Sequence, residues 1–316
     1  MIGLLIGVIS GFLWGLNDVF TNLLSLHIQI EDVHTVIIFA LFLALLQDLF
    51  SCFGIMNYHK IQGEFKSKLN QSKVIFWIIL IAAICAGPLG MVAGIMGITY
   101  AGPVYAGVIT ACYPVVALIL AIKILGIKPT KLKVFGIILS IIAVMSISIE
   151  GLDAGRRPEV LLGMGFAVIA MFGWGLESVM FALASEKVSL KPSWILGIRQ
   201  MVSATSYLII LAIYLAINGD EVLSVVSQMN VWWLLFACIV SASFSYLTYY
   251  NAIKKIGPSL GTVFNATFIF WAAIIGASIG ISVLSEFFWA WAVLLIMGIF
   301  LSTREGKVIY HIKKTQ

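Results

Sequence analysis

The chain has 316 residues, 61% of them hydrophobic and only 10% charged, with a mean hydropathy of +1.08. A water-soluble domain of this length has no interior large enough for so much apolar surface, so its solvent is lipid. The formal charge of +5 does not point to nucleic acid, because the basic residues sit in short loops between apolar segments.

Segments of roughly 20 residues are enough to cross about 30 Å of hydrocarbon. They lie near 2–26, 33–54, 74–100, 104–122, 132–149, 160–184, 193–217, 231–253, 259–281 and 287–303. A signal peptide explains one N-terminal stretch and no more. The sequence therefore predicts an all-α polytopic membrane protein with ten transmembrane helices.

The first helix carries Trp14-Gly15 followed by Asn17 and Asp18, and the second has Asp48 near its inner end. Gly87-Pro88 and Gly90, Gly94 and Gly97 interrupt the third, which only Ala101-Gly102-Pro103 separates from the fourth. Pro114, after Tyr113, forfeits the bond to the Thr110 carbonyl; such interruptions serve either as hinges or as static packing devices. The sixth helix has Trp174-Gly175 and Glu177, the seventh Arg199-Gln200, the eighth Tyr246, Tyr249 and Tyr250, and the ninth Trp271. Four cysteines, Cys52, Cys85, Cys112 and Cys238, fall in apolar segments at no metal-like spacing and read as buried small hydrophobes.

Loop charge alternates. Lys60, Lys66, Lys68 and Lys73 fill the second loop, and Lys123, Lys128, Lys131 and Lys133 surround the fourth. Lys187 and Lys191 occupy the sixth, Lys254 and Lys255 the eighth, and Arg304, Lys307, Lys313 and Lys314 the tail. The odd loops carry Glu31, Asp32, Glu150, Asp153, Glu159, Asp220, Glu221 and Glu286 against Arg156 and Arg157. Lys and Arg mark the cytoplasmic side, so both termini are expected inside a bacterial-type plasma membrane.

Two stretches repeat. Ile9 to Val19 matches Ile169 to Val179, an offset of 160, and Ile98 to Pro103 matches Ile253 to Pro258, an offset of 155. Two halves of five helices, 1–154 and 155–316, must insert in opposite senses, because each has an odd number of spans.

These features together resemble the drug/metabolite transporter superfamily in its ten-helix form built from two EamA-type repeats. The resemblance rests on the helix count, the inside termini, the Trp-Gly helices opening each half, and the stretch from Tyr100 to Leu118. It implies a secondary transporter that alternates access around a site between its halves. Within the superfamily, the Trp-Gly helices with an in-helix Glu look like bacterial choline permeases associated with phosphocholine decoration. That resemblance implies a cage of Trp14 and Trp174 with Glu177 as its acidic member.

The residues themselves carry part of the same reading. A charge at the bilayer centre costs about 2.5–3.5 kcal/mol on insertion scales, so each of Asp18, Asp48, Glu177 and Arg199 needs a reason. Glu177 follows Trp174 by three residues on one helical face. A carboxylate beside an indole suits an organic cation, and a helix–helix anchor is the competing reading. Asn17 and Asp18 are equivalent in the repeat to Glu177 and Ser178; a shared central site and an inherited packing contact both explain them. Tyr246 is a candidate cage wall, with Tyr113 and Trp271 in the related fourth and ninth helices. Glu177 and Asp18 are candidates for proton coupling, since a carboxyl out of water favours its neutral form. Arg199 is expected to snorkel to the cytoplasmic face, and Asp48 either to be solvated or to pair with it. His27, His34, His59 and His311 map to loops or helix ends, leaving no histidine relay in the core.

No phosphate-cradling loop, metal spacing or nucleophile–base pair appears, so no enzyme, cofactor or metal is expected. The reading is import of a small organic cation, choline foremost, with lipid as its surroundings and a monomer or homodimer left open. The alternatives are an exporter of amino acids or other small metabolites, and a membrane scaffold that transports nothing.

Overall fold

In hydrocarbon the backbone has no water to bond, so apolar segments close their own hydrogen bonds as helices. The computed structural model describes residues 2–28, 33–64, 73–150, 160–217, 219–281, 284 and 286–303. Among them every element is helical. The order is α1 (Ile2–Ser25), α2 (Val33–Ile61), a single 3-10 turn (Lys73–Ile75), α3 (Phe76–Ile84), a π-helical segment (Cys85–Met91) and α4 (Val92–Thr110). Then follow α5 (Tyr113–Leu125), α6 (Lys131–Glu150), α7 (Val160–Lys187), α8 (Pro192–Ile217) and α9 (Gly219–Gln228). The last are α10 (Trp232–Ile256), α11 (Pro258–Ala266), α12 (Phe268–Ser278) and α13 (Phe288–Thr303). Seven helical stretches among the described residues are long and apolar enough to span a bilayer, and α5 and α13 are shorter apolar helices. This is a polytopic membrane protein. The expected divide near Asp153–Pro158, the acids Glu31 and Asp32 expected outside, His311 and the basic tail from Arg304 lie outside the described residues.

Three boundaries differ from expectation. Helix α4 runs through Ala101-Gly102-Pro103, where two spans were to separate, and the interruption falls at Ala111-Cys112 instead. There Pro114 sits in the first turn of α5, where its missing N–H leaves no bond unmade. The expected ninth span is broken in the same manner, at Thr267 between α11 and α12. The loop before α10 contains the short helix α9, with Asp220 and Glu221 at its positive end and Val222 and Val225 turned inward.

Proline also shapes the third span. Pro88 offers no N–H to the α-helical ladder, and the chain there winds to the wider π spacing over Cys85–Met91. Small residues make this widened stretch a docking surface. A Cβ on Gly90 would lie 2.7 Å from the Trp174 indole, and one on Gly87 2.8 Å from the Tyr207 hydroxyl.

Helix α1 packs chiefly against α10 and α12, α4 against α7, α2 against α8, and α6 against α13. Glycine permits the closest of these approaches. A Cβ on Gly15 would lie 2.7 Å from the Phe268 carbonyl oxygen and 2.8 Å from Trp271; one on Gly175 would lie 2.7 Å from Val116 and 3.2 Å from the Tyr113 carbonyl oxygen. Offset by 160 and 155 residues, these are the same contact made twice.

At the C-terminal end of α2, His59 is fully buried, with Nδ1 3.0 Å from Glu64 Oε2 and Nε2 3.0 Å from Ser193 Oγ. Lys191 donates to Glu64 Oε1 at 2.9 Å, and this hydrogen bond raises its ammonium pKa. The cluster ties the end of α2 to the start of α8.

Candidate functional site

Aromatic side chains from distant parts of the sequence meet where α1, α7 and α10 approach the broken helices. Trp14 and Trp174 stand edge to face, with ring centroids 6.1 Å apart. Tyr246 meets Trp14 at 5.2 Å, and Tyr113 meets Trp174 at 6.2 Å, both again edge to face. These four rings, with Glu177, Ser245, Tyr249, Asn265 and Phe268, line one cavity. Water centres have about 20 Å³ of room in it, enough for a water molecule. An organic guest requires the rings to part.

The polar rim is largely fixed. Tyr113 Oη lies 2.7 Å from Asn265 Oδ1 and 2.9 Å from the Thr262 carbonyl, and Asn265 donates to Ser10 Oγ at 2.7 Å. Ser245 donates to the Ser10 carbonyl at 2.8 Å. Two buried donors, Trp174 Nε1 and Tyr249 Oη, have no partner among the described residues.

Behind Glu177 lies a three-charge cluster. Arg199 is 1% exposed; its Nη1 donates to both Asp48 oxygens, at 3.0 and 2.8 Å, and its Nε to Glu177 Oε1 at 3.0 Å. Its Nη2 reaches Tyr246 Oη at 3.2 Å, and its guanidinium carbon lies 4.6 Å from the centre of that ring. Tyr250 donates to the same Glu177 oxygen at 2.7 Å. Glu177 Oε2 accepts no hydrogen bond among the described residues. With both acids ionised, two negative charges share one positive, leaving the cluster at −1.

Arg199 thus corrects the expectation of snorkelling. Asp48 and Glu177 lie within reach at its own depth, and a planar guanidinium bonded to two carboxylates and a phenol has no reason to seek the interface.

The structure brings Trp14, Trp174, Glu177, Tyr246 and Tyr113 to one cavity. It does not bring Trp271 there: that ring packs against Phe12 at 5.4 Å and Phe270 at 5.1 Å. Asn17 and Asp18 line a second cavity, also of about 20 Å³, with Thr21, Met91, Trp14 and Trp174. Asn17 there donates to the Cys238 carbonyl at 2.8 Å. Sequence reasoning missed Ser245, Asn265 and Phe268 as lining residues and Tyr250 as the partner of Glu177. Their signal was positional, since Phe268 and Tyr113 occupy equivalent places in the shorter repeat.

Broken helices around an aromatic and acidic pocket at membrane depth define a membrane carrier of small molecules. The chain belongs to the EamA-like transporter family, which matches it over residues 1–149 and 161–304. It is 28% identical over 279 residues to Protein LicB of Haemophilus influenzae, covering 87% of this chain and 88% of that one. It is 23% identical over 193 residues to the uncharacterized transporter YetK of Bacillus subtilis, covering 60% of this chain and 56% of that one. A solved crystal structure superposes with a TM-score of 0.67 over 96% of each chain at 15% identity, a likeness of fold.

Proposed function

We propose that this transporter imports a small organic cation of the quaternary ammonium class, choline foremost. The observation that carries the reading is the convergence of Trp14, Tyr113, Trp174, Tyr246 and Tyr249 with Glu177 on one cavity. Ring faces attract a desolvated cation by about 2 kcal/mol or more each, with no demand for hydrogen bonds that a quaternary ammonium cannot make. The free oxygen of Glu177 and the residual charge of its cluster supply the counter-charge. Tyr249 Oη is a donor available to a hydroxyl or ester oxygen on the same guest.

Movement follows from two inverted five-helix halves rocking about this site. The pairing of α1 with α10 and of α4 with α7, and the matched interruptions at Ala111-Cys112 and Thr267, support such a relation. An inside-negative potential favours entry of one positive charge by about 2.3 kcal/mol per 100 mV, so import is electrically downhill.

Purified protein in liposomes tests this. Choline on the outer side should evoke an inward current, and an excess of tetramethylammonium should compete with it. Efflux of amino acids with no response to quaternary amines would overturn the reading.

A further inference from the structure

The buried ion cluster contains one acid more than its arginine can neutralise, and the geometry shows which acid is paired. Both Asp48 oxygens accept from Arg199 Nη1, at 3.0 and 2.8 Å, and Asp48 lines neither cavity. Glu177 lines the aromatic cavity and meets Arg199 through Oε1 alone, an oxygen to which Tyr250 also donates. Asp48 is therefore the partner of Arg199, and the charge of Glu177 is the one left over.

From this allocation we infer that Asp48 determines the charge selectivity of the aromatic cavity without touching the guest. It is a positioning residue: by holding Arg199 it keeps the guanidinium from neutralising Glu177. The inference rests on the proposed cation reading and names a residue outside the cavity that enforces it. With both acids ionised, a guest carrying one positive charge brings the centre from one net negative charge to zero. Without Asp48, Arg199 and Glu177 already balance, and the same guest would leave an unpaired charge out of water, which is costly. A neutral guest of equal shape meets no such difference.

The remaining contacts of Arg199 fit this division. Its Nη2 reaches Tyr246 Oη at 3.2 Å, so the guanidinium is held on two nitrogens by groups other than Glu177. When a cation takes up the Glu177 charge, the bond from Nε is the one free to loosen while the other contacts keep the arginine in place.

Nothing in the repeated architecture calls for the cluster. At offsets of 155 to 160 residues, the counterparts of Arg199 are the apolar residues 39 to 44, and those of Asp48 are residues 203 to 208, with no Asp, Glu, Lys or Arg among them. Three buried charges are a costly way to join helices, and apolar side chains of similar volume join them as well. What the trio supplies that apolar packing does not is a surplus negative charge beside the cavity.

Purified full-length protein in nanodiscs, titrated with choline and with its uncharged carbon isostere dimethylbutanol, tests this. The ratio of the two affinities reads charge selectivity, whereas a distorted cavity weakens both ligands together. Asp48→Asn should cut choline affinity about thirtyfold, the order expected for one charge removed at short range in a protein interior, and leave the alcohol unchanged. Asp48→Glu should keep the wild-type ratio. The double variant of Asp48→Asn with Arg199→Gln restores one net negative charge, now from Glu177 alone, and should regain selectivity for choline. A ratio that survives Asp48→Asn, a double variant no more selective than the single one, or an equal loss of both ligands overturns the assignment. A wild type that binds neither choline nor tetramethylammonium sinks the cation reading and this inference with it. A wild type that selects choline, with an Asp48→Asn variant that selects it equally, sinks the inference alone.

Discussion

Trp14 and Trp174, separated by 160 residues in sequence, meet edge to face with their ring centres 6.1 Å apart. The contact joins α1 to α7, and both rings border the candidate cation cavity.

Truncating either indole should therefore weaken cation binding more than it weakens the fold. We expect Trp174→Ala to reduce affinity for choline about thirtyfold, the equivalent of about 2 kcal/mol. Trp174→Phe should recover part of the loss. Titration of the remaining tryptophan fluorescence with choline measures both, and equal affinities in the two variants would show that the ring face is not used.

Removing Arg199 leaves Asp48 and Glu177 buried without a counter-charge. Arg199→Ala should lower stability by about 3–5 kcal/mol, seen as a large fall in melting temperature in detergent. Arg199→Lys should not restore it, because an ammonium cannot present a planar fork to two carboxylates and a phenol at once.

Gly15→Ala tests the seam between α1 and α12. The added methyl would lie 2.7 Å from the Phe268 carbonyl oxygen. Overpacking of this kind costs about 1–3 kcal/mol, whereas the same change at Gly165, which faces open space, should be neutral or slightly stabilising by thermal unfolding.

His59→Ala removes the buried ring that bridges Glu64 and Ser193. Two hydrogen bonds and their packing are lost, so a destabilisation of about 1–3 kcal/mol is expected. Hydrogen exchange should rise first at the start of α8 near Ser193, and protection unchanged there would show that the bridge carries no weight.

Much of the site was legible because it sits on a repeated motif. The Trp-Gly steps placed two rings, and three-residue spacing put Glu177 beside one of them. What the chain did not disclose was tertiary. Arg199 lies near a helix end by count, and only the presence of Asp48 and Glu177 at a common depth shows why it stays inside; two embedded acids asking for one base was the available signal. Trp271 looked equivalent to a site residue, yet its face of α12 turns toward Phe12, and helical spacing alone does not orient a face. The interruption at Ala111-Cys112 was hidden because Gly102-Pro103 is the stronger turn signal in isolation, and the helix tolerates it.

The uncompensated charge in the Asp48–Arg199–Glu177 cluster has a kinetic corollary. On the proposed import reading and with both acids ionised, an incoming monocation cancels it, so the loaded centre crosses the field nearly neutral, while the unloaded centre returns as a net anion. Membrane voltage would then accelerate the resetting half of the cycle rather than tighten the grip on cargo, and hyperpolarisation should raise maximal velocity while leaving half-saturation almost untouched.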